Sequence, residues 1–181
     1  MSGSALLLID LQRIFAEPSS PWAAPDFGPA AAQAERLLGA YGGRATVTRF
    51  LPLQPPTGAW EAYYEAWPFA LEAPADLYDL VPPFDQVARR VDRTTFGKWD
   101  ADTAAALDHP GEVVLAGVST DCCVLSTALA AADAGVRVRV VADACAGASR
   151  ADHERALAAM ALYAPLIEIT TSDAVLATVR P

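Results

Sequence analysis

Apolar residues in this chain fall into short unbroken runs, separated by longer stretches rich in alanine. Residues 5–9 read ALLLI and stop at Asp10, the pattern of a central strand buried on both faces. Further strands are predicted at residues 45–50, 86–91, 112–116, 136–141 and 166–170, where apolar positions are interspersed with polar ones. Helical stretches are predicted between them at 28–40, 102–107, 122–134 and 151–163, the last with its apolar positions at helical spacing. Strand and helix alternate almost throughout. Such alternation implies right-handed βαβ crossovers, and predicts a three-layer α/β/α fold around a six-stranded, mostly parallel sheet. In sheets of this kind ligands bind beyond the carboxyl ends of the strands, where the strand order reverses. Residues just after strands are therefore the ones to inspect for chemistry. Residues 51–83 interrupt the pattern with prolines and with Trp60, Tyr63, Tyr64, Trp67 and Phe69. That is too long for an ordinary connection, and a functional lid or an interface arm is expected there.

Composition narrows the class. A chain of 181 residues suits one α/β domain, here residues 1–181, that buries about 70% of its unfolded surface. Hydrophobic residues at 53%, charged residues at 19% and a mean hydropathy of +0.23 exclude disorder, and the surplus of apolar surface points to a homo-oligomer. A net charge of −9 argues against nucleic acid as a partner, since phosphate binding draws on clustered Lys and Arg, and against an anionic membrane surface. The start of the chain lacks a basic n-region, and its first apolar run is far too short to span a bilayer, so a cytoplasmic location is expected. Three cysteines, two of them adjacent, form no disulfide framework; free thiols in a reducing compartment are expected.

Three positions invite chemistry. Residues 117–124 read GVSTDCCV after the fourth strand and open a helix, so Cys122 and Cys123 sit at a helix N-terminus facing the predicted crevice. Unpaired amides and the helix dipole there favour thiolate and can stabilise an oxyanion, so a lowered thiol pKa is expected. Two small core residues would fit the same pattern, and Cys145 is read as a core residue. Asp10 ends the first strand, either as a proton acceptor or as the cap of a turn. Lys98 is the only lysine beside twelve arginines. An amine can exchange a proton where a guanidinium cannot, which gives this exception a chemical reason; Arg93 is its nearest competitor.

The motifs LLIDLQ (residues 7–12), GVSTDCCV (117–124) and VADACA (141–146), with a basic residue after strand three, together resemble the isochorismatase-like cysteine hydrolases. The resemblance covers nearly the whole chain. It implies Cys123 as nucleophile, Asp10 as acid/base and Lys98 as the triad lysine, although an alternative alignment gives that place to Arg93. It also implies a cis peptide between Val118 and Ser119, in a loop that with Cys123 forms the oxyanion site. The expected activity is hydrolysis of a C–N bond in a small amide, imide or carbamoyl substrate through a thioester. The alternatives are an isochorismatase-type vinyl-ether hydrolysis and a noncatalytic binding or scaffold protein. No cofactor is expected. Zinc-dependent members hold their metal with an Asp-x-His pair after strand two, where this chain reads RFLPL (49–53), and its only histidines are His109 and His153, so no metal is expected either. Phe15, Trp22, Trp60, Tyr63 and Trp99 are candidates to line the substrate pocket, with core or interface packing as the competing role for each.

Overall fold

The computed structural model describes residues 4–179. Six strands, β1 (Ser4–Ile9), β2 (Ala45–Phe50), β3 (Arg90–Arg93), β4 (Glu112–Val118), β5 (Arg137–Ala146) and β6 (Ile167–Thr170), form one sheet in the order β3-β2-β1-β4-β5-β6. Every pairing in it is parallel. Among the described residues seven α-helices connect them, α1 (Arg13–Ala16), α2 (Phe27–Tyr41), α3 (Ala59–Ala66), α4 (Phe69–Glu72), α5 (Ala101–Ala106), α6 (Leu125–Asp133) and α7 (Arg150–Ala161), and α8 (Ser172–Leu176) follows β6. The result is a three-layer α/β/α fold.

The two-residue period of the central strands separates two cores. Leu6, Leu8, Val114, Ala116 and Val118 face one core, filled by Phe27, Ala34 and Leu37 of α2 and Val175 of α8. Ala5, Leu7, Ile9, Val113 and Leu115 face the other, filled by Ala128 and Ala131 of α6 and Met160 of α7. Strands with both faces covered have no polar side, which is why their sequence runs are continuously apolar.

From β1 the chain winds outward through β2 to β3, and from β4 it winds the opposite way through β5 to β6. The order therefore reverses between β1 and β4, where Ile9 pairs with Gly117. The approach is so close that a Cβ on Gly117 would lie 2.1 Å from the Ile9 carbonyl oxygen, and Gly117 adopts φ +125°. Only glycine satisfies both conditions.

Two expectations shift. β3 lies at Arg90–Arg93 rather than 86–91, because Phe84, 1% exposed, is anchored in the core by a 3-10 turn over Phe84–Gln86 and pairing begins only at Val47–Arg90. The helix expected over 122–134 is divided: a wide π-helical turn, Thr120–Val124, precedes α6. Residues 51–83 fold back onto the first core through Tyr64, Ala70 and Tyr78, with α3 and α4 inside the segment. Among the described residues no helix is long and apolar enough to cross a membrane.

Candidate active site

Asp10 leaves the end of β1 at φ +50°, a left-handed conformation that Asp tolerates better than most residues. Its carboxylate is fully buried. Thr48, on the neighbouring β2, accepts from the Asp10 amide (3.2 Å) and donates its hydroxyl to Asp10 Oδ1 (2.6 Å). Gln12 ties this turn down by donating Nε2 to the Phe50 carbonyl (2.9 Å) and the Tyr78 carbonyl (2.6 Å), and by accepting from the Phe50 amide (2.8 Å).

Lys98 enters from the loop after β3. Its Nζ lies 3.0 Å from Asp10 Oδ2, and neither side chain is exposed. Nζ also donates to the Thr95 carbonyl (2.5 Å) and sits 5.1 Å from the centre of the Phe50 ring. The approach to Oδ2 is an ion contact without hydrogen-bond alignment, which leaves that oxygen an open acceptor. Arg93 is elsewhere: it forms a two-pronged pair with Asp100, 2.7 Å at both contacts.

Cys123 lies on the turn after β4, 3% exposed. Thr127 links it to the lysine loop by accepting from the Lys98 amide (3.0 Å) and donating to the Cys123 carbonyl (2.6 Å). Burial pushes the Cys123 thiol well above its ordinary value, and the charge of Asp10 and a hydrogen bond with its side chain push the same way; Lys98 and the Ser119 backbone pull against them. The lowered pKa expected from the helix terminus is thus corrected. Full desolvation beside a carboxylate outweighs the amides and the ammonium, so the environment favours the thiol over the thiolate. Cys122, half-buried, is pushed up to about 11 by burial and Asp121; Cys145, buried, reaches about 12 through burial.

The Val118–Ser119 peptide is cis. Val118 points its side chain into the first core, whereas Ser119 faces a cavity of about 310 Å3 in front of Cys123. Phe15, Trp22 and Tyr63 line that cavity, together with Phe50, Trp67 and Phe96. Trp60 does not; it packs behind, 5.2 Å from Tyr63 and 5.2 Å from Phe96. Trp99 packs against the second core instead. Asp121, not singled out from the sequence, also lines the cavity. Its Oδ1 accepts from the Ser119 hydroxyl (2.5 Å) and the Ala148 amide (2.9 Å), and its Oδ2 takes a longer contact from the Cys122 thiol (3.6 Å).

Residues after β2 do not suit a metal: Leu51, Pro52 and Leu53 offer no ligand side chain, and Arg49 is tied to Asp92 at 2.7 Å. Among the described residues no group of three or more His, Cys, Asp or Glu side chains is placed to hold one.

The fold has counterparts among solved structures. A cysteine hydrolase from Pseudomonas syringae pv. phaseolicola superposes with a TM-score of 0.83 at 18% identity, over 96% of this chain and 91% of that one. A MAR1 ribonuclease from Caenorhabditis elegans gives 0.74 at 24% identity, over 98% and 81%. At these identities the likeness is one of fold. Isochorismatase domain-containing protein 2 of Xenopus laevis is 44% identical over 64 residues, 35% of this chain and 30% of that protein, so the match spans less than a third of that relative. The family model for the Isochorismatase domain matches residues 4–174, and the chain belongs to that family.

Proposed function

We propose that this chain is a cysteine hydrolase that cleaves the C–N bond of a small amide, imide or carbamoyl substrate through a thioester, without metal or cofactor. The observation that carries the reading is the buried Asp10–Lys98 pair set against the Cys123 thiol at the floor of an aromatic cavity. Asp10 takes the thiol proton as sulfur attacks the substrate carbonyl and the C=O π pair moves onto oxygen. Transfer from Cys123 to Asp10 leaves the net charge of the buried group unchanged, so the high pKa of the thiol toward solvent does not bar it. Backbone amides near Ser119 and Cys123 stabilise the oxyanion. Collapse breaks the C–N bond, and Asp10 returns the proton to the leaving nitrogen. A water then gives a proton to Asp10 and attacks the thioester, sulfur departs, and Asp10 reprotonates it. Lys98 holds the carboxylate in place and offsets the negative charge that passes between Asp10 and Cys123.

A vinyl-ether hydrolysis needs no thiol at this position, and a ribonuclease reading, suggested by the name of one structural relative, fits poorly with a charge of −9 and a cavity wall without Lys or Arg. Three free thiols among the described residues suit a reducing, cytoplasmic setting. The test is turnover of a panel of small amides. Cys123→Ser, Asp10→Asn and Lys98→Arg should each lose at least about a hundredfold in kcat/KM with the fold retained, and Cys122→Ala and Cys145→Ala should keep most activity. Wild-type turnover in Cys123→Ser would exclude covalent catalysis by this residue.

A further inference from the structure

The cavity in front of Cys123 has an electrostatic bias of its own. Six of its lining residues are aromatic, Phe15, Trp22, Phe50, Tyr63, Trp67 and Phe96, and Asp121 is the only ionic one. The Asp10 and Lys98 charges offset each other behind Cys123, which leaves Asp121 to set the sign of the pocket. No salt bridge neutralises Asp121 among the described residues. Its strong donors are a hydroxyl and a backbone amide, both uncharged, and Oδ2 has only the 3.6 Å thiol contact. A carboxylate offers about four acceptor sites, so Oδ2 can still take a donor from a bound molecule. Aromatic faces favour cations for the same electrostatic reason, and the charge of −9 on the whole chain acts in the same direction. The position of Asp121 is itself tightly constrained: a Cβ on Gly147 would come within 2.9 Å of its Oδ1.

We propose that Asp121 is the specificity-determining residue of this pocket, selecting amides whose acyl group carries a flat cationic substituent and rejecting those that carry a carboxylate. The proposal rests on the hydrolase reading for its reaction, but the charge selection is a property of binding and can be tested apart from it. At about 310 Å3 the cavity lies at the small end for ligand sites, which fits a single ring.

Three para-substituted benzamides of nearly equal shape serve as probes, bearing an amidinium, a carboxamide or a carboxylate. Binding to the full chain is read by quenching of tryptophan fluorescence, since Trp22 and Trp67 line the cavity, and turnover is read by ammonia release. The expected order in wild type is amidinium, then carboxamide, then carboxylate, with about tenfold or more between the extremes and a spread that narrows in high salt. Asp121→Asn should compress the spread to about twofold, mostly through weaker amidinium and stronger carboxylate binding, and Asp121→Glu should keep the order. A merely structural role would weaken all three probes alike and leave the order unchanged. Equal binding, a preference for the carboxylate, or no binding by any probe to wild type overturns the proposal, and these wild-type results stand even if the variants fail to fold. The expected binding order with no turnover of any probe supports the charge selection and counts against the hydrolase reading.

Discussion

Alkylation by iodoacetamide as a function of pH reads where the Cys123 proton goes. Cys122, with its thiol pushed up to about 11, carries thiolate in about one molecule in ten thousand at pH 7, roughly three hundredfold less than an ordinary cysteine. Its labelling should therefore be slow, and should rise about tenfold per pH unit until pH approaches its pKa. Cys145 lies higher still, at about 12, and is 5% exposed, so it should lag behind. Cys123 is raised well above its ordinary value by full burial and by Asp10. If its proton had to leave for solvent, its labelling would follow the same steep slope from a very low start. Transfer to Asp10 changes this, because the proton stays inside the buried group, whose net charge is constant. The expected result is a Cys123 rate that is nearly flat between about pH 6 and 9 and exceeds the Cys122 rate at neutral pH. Peptide mass mapping after timed quenching gives both rates in one sample. Asp10→Asn removes the acceptor and should convert the flat profile into a steep one. A Cys123 slope of about tenfold per unit in the wild type, parallel to Cys122 and unchanged in Asp10→Asn, would refute internal proton transfer.

Three further outcomes follow from the geometry. Lys98→Met leaves the Asp10 carboxylate buried without its cation and should cost about 3–5 kcal/mol in urea unfolding; adding Asp10→Asn should recover about 2 kcal/mol, and strict additivity would mean that the 3.0 Å contact carries no energy. Gly117→Ala forces β1 and β4 apart, since its Cβ would lie 2.1 Å from the Ile9 carbonyl, and should unfold the protein, whereas Gly28→Ala on α2, with nothing within 4 Å, should be neutral or gain up to about 1 kcal/mol. In acid, Asp92 and Asp100 are held below the ordinary 3.8 chiefly by hydrogen bonds from Arg49 and Arg93. The unfolded chain binds their protons first, so the stability these pairs add is complete above about pH 4 and is lost as pH falls through their lowered values. Arg93→Met should therefore flatten the acid limb of the stability profile, and an unchanged limb would remove Asp100 from the account.

The parts of this molecule legible in its sequence are those governed by local pattern. A strand buried on both faces has no polar period, and residues 5–9 and 112–116 carry that signature because both cores press on β1 and β4. The edge strand β3 has a partner on one side only, and its place is set by register with β2 and by the Phe84 anchor, neither of which lies in its own residues. Likewise the wall of the cavity is assembled from loops distant in sequence. Trp60 and Trp67 look alike along the chain, yet only Trp67 reaches the space in front of Cys123. The supports of the site, Thr48, Gln12 and Thr127, are ordinary residues whose partners come from other strands and helices.

The direction of the Cys123 shift was beyond local reading for the same reason. A helix terminus is visible in sequence, but the carboxylate that outweighs it comes from β1, and the burial from the second core in which Cys123 packs. Lys98 sits at the meeting of the two kinds of information. Its singularity among twelve arginines is a sequence fact; its cause is spatial. The ammonium occupies a fully buried slot between Asp10 Oδ2, the Thr95 carbonyl and the Phe50 ring. A compact point charge suits an ion contact with one carboxylate, a hydrogen bond to one carbonyl and a ring face, whereas the five donors of a guanidinium fork would leave several unsatisfied in the same space. Among the described residues every other ion pair uses arginine, and the one that is buried on both sides uses lysine.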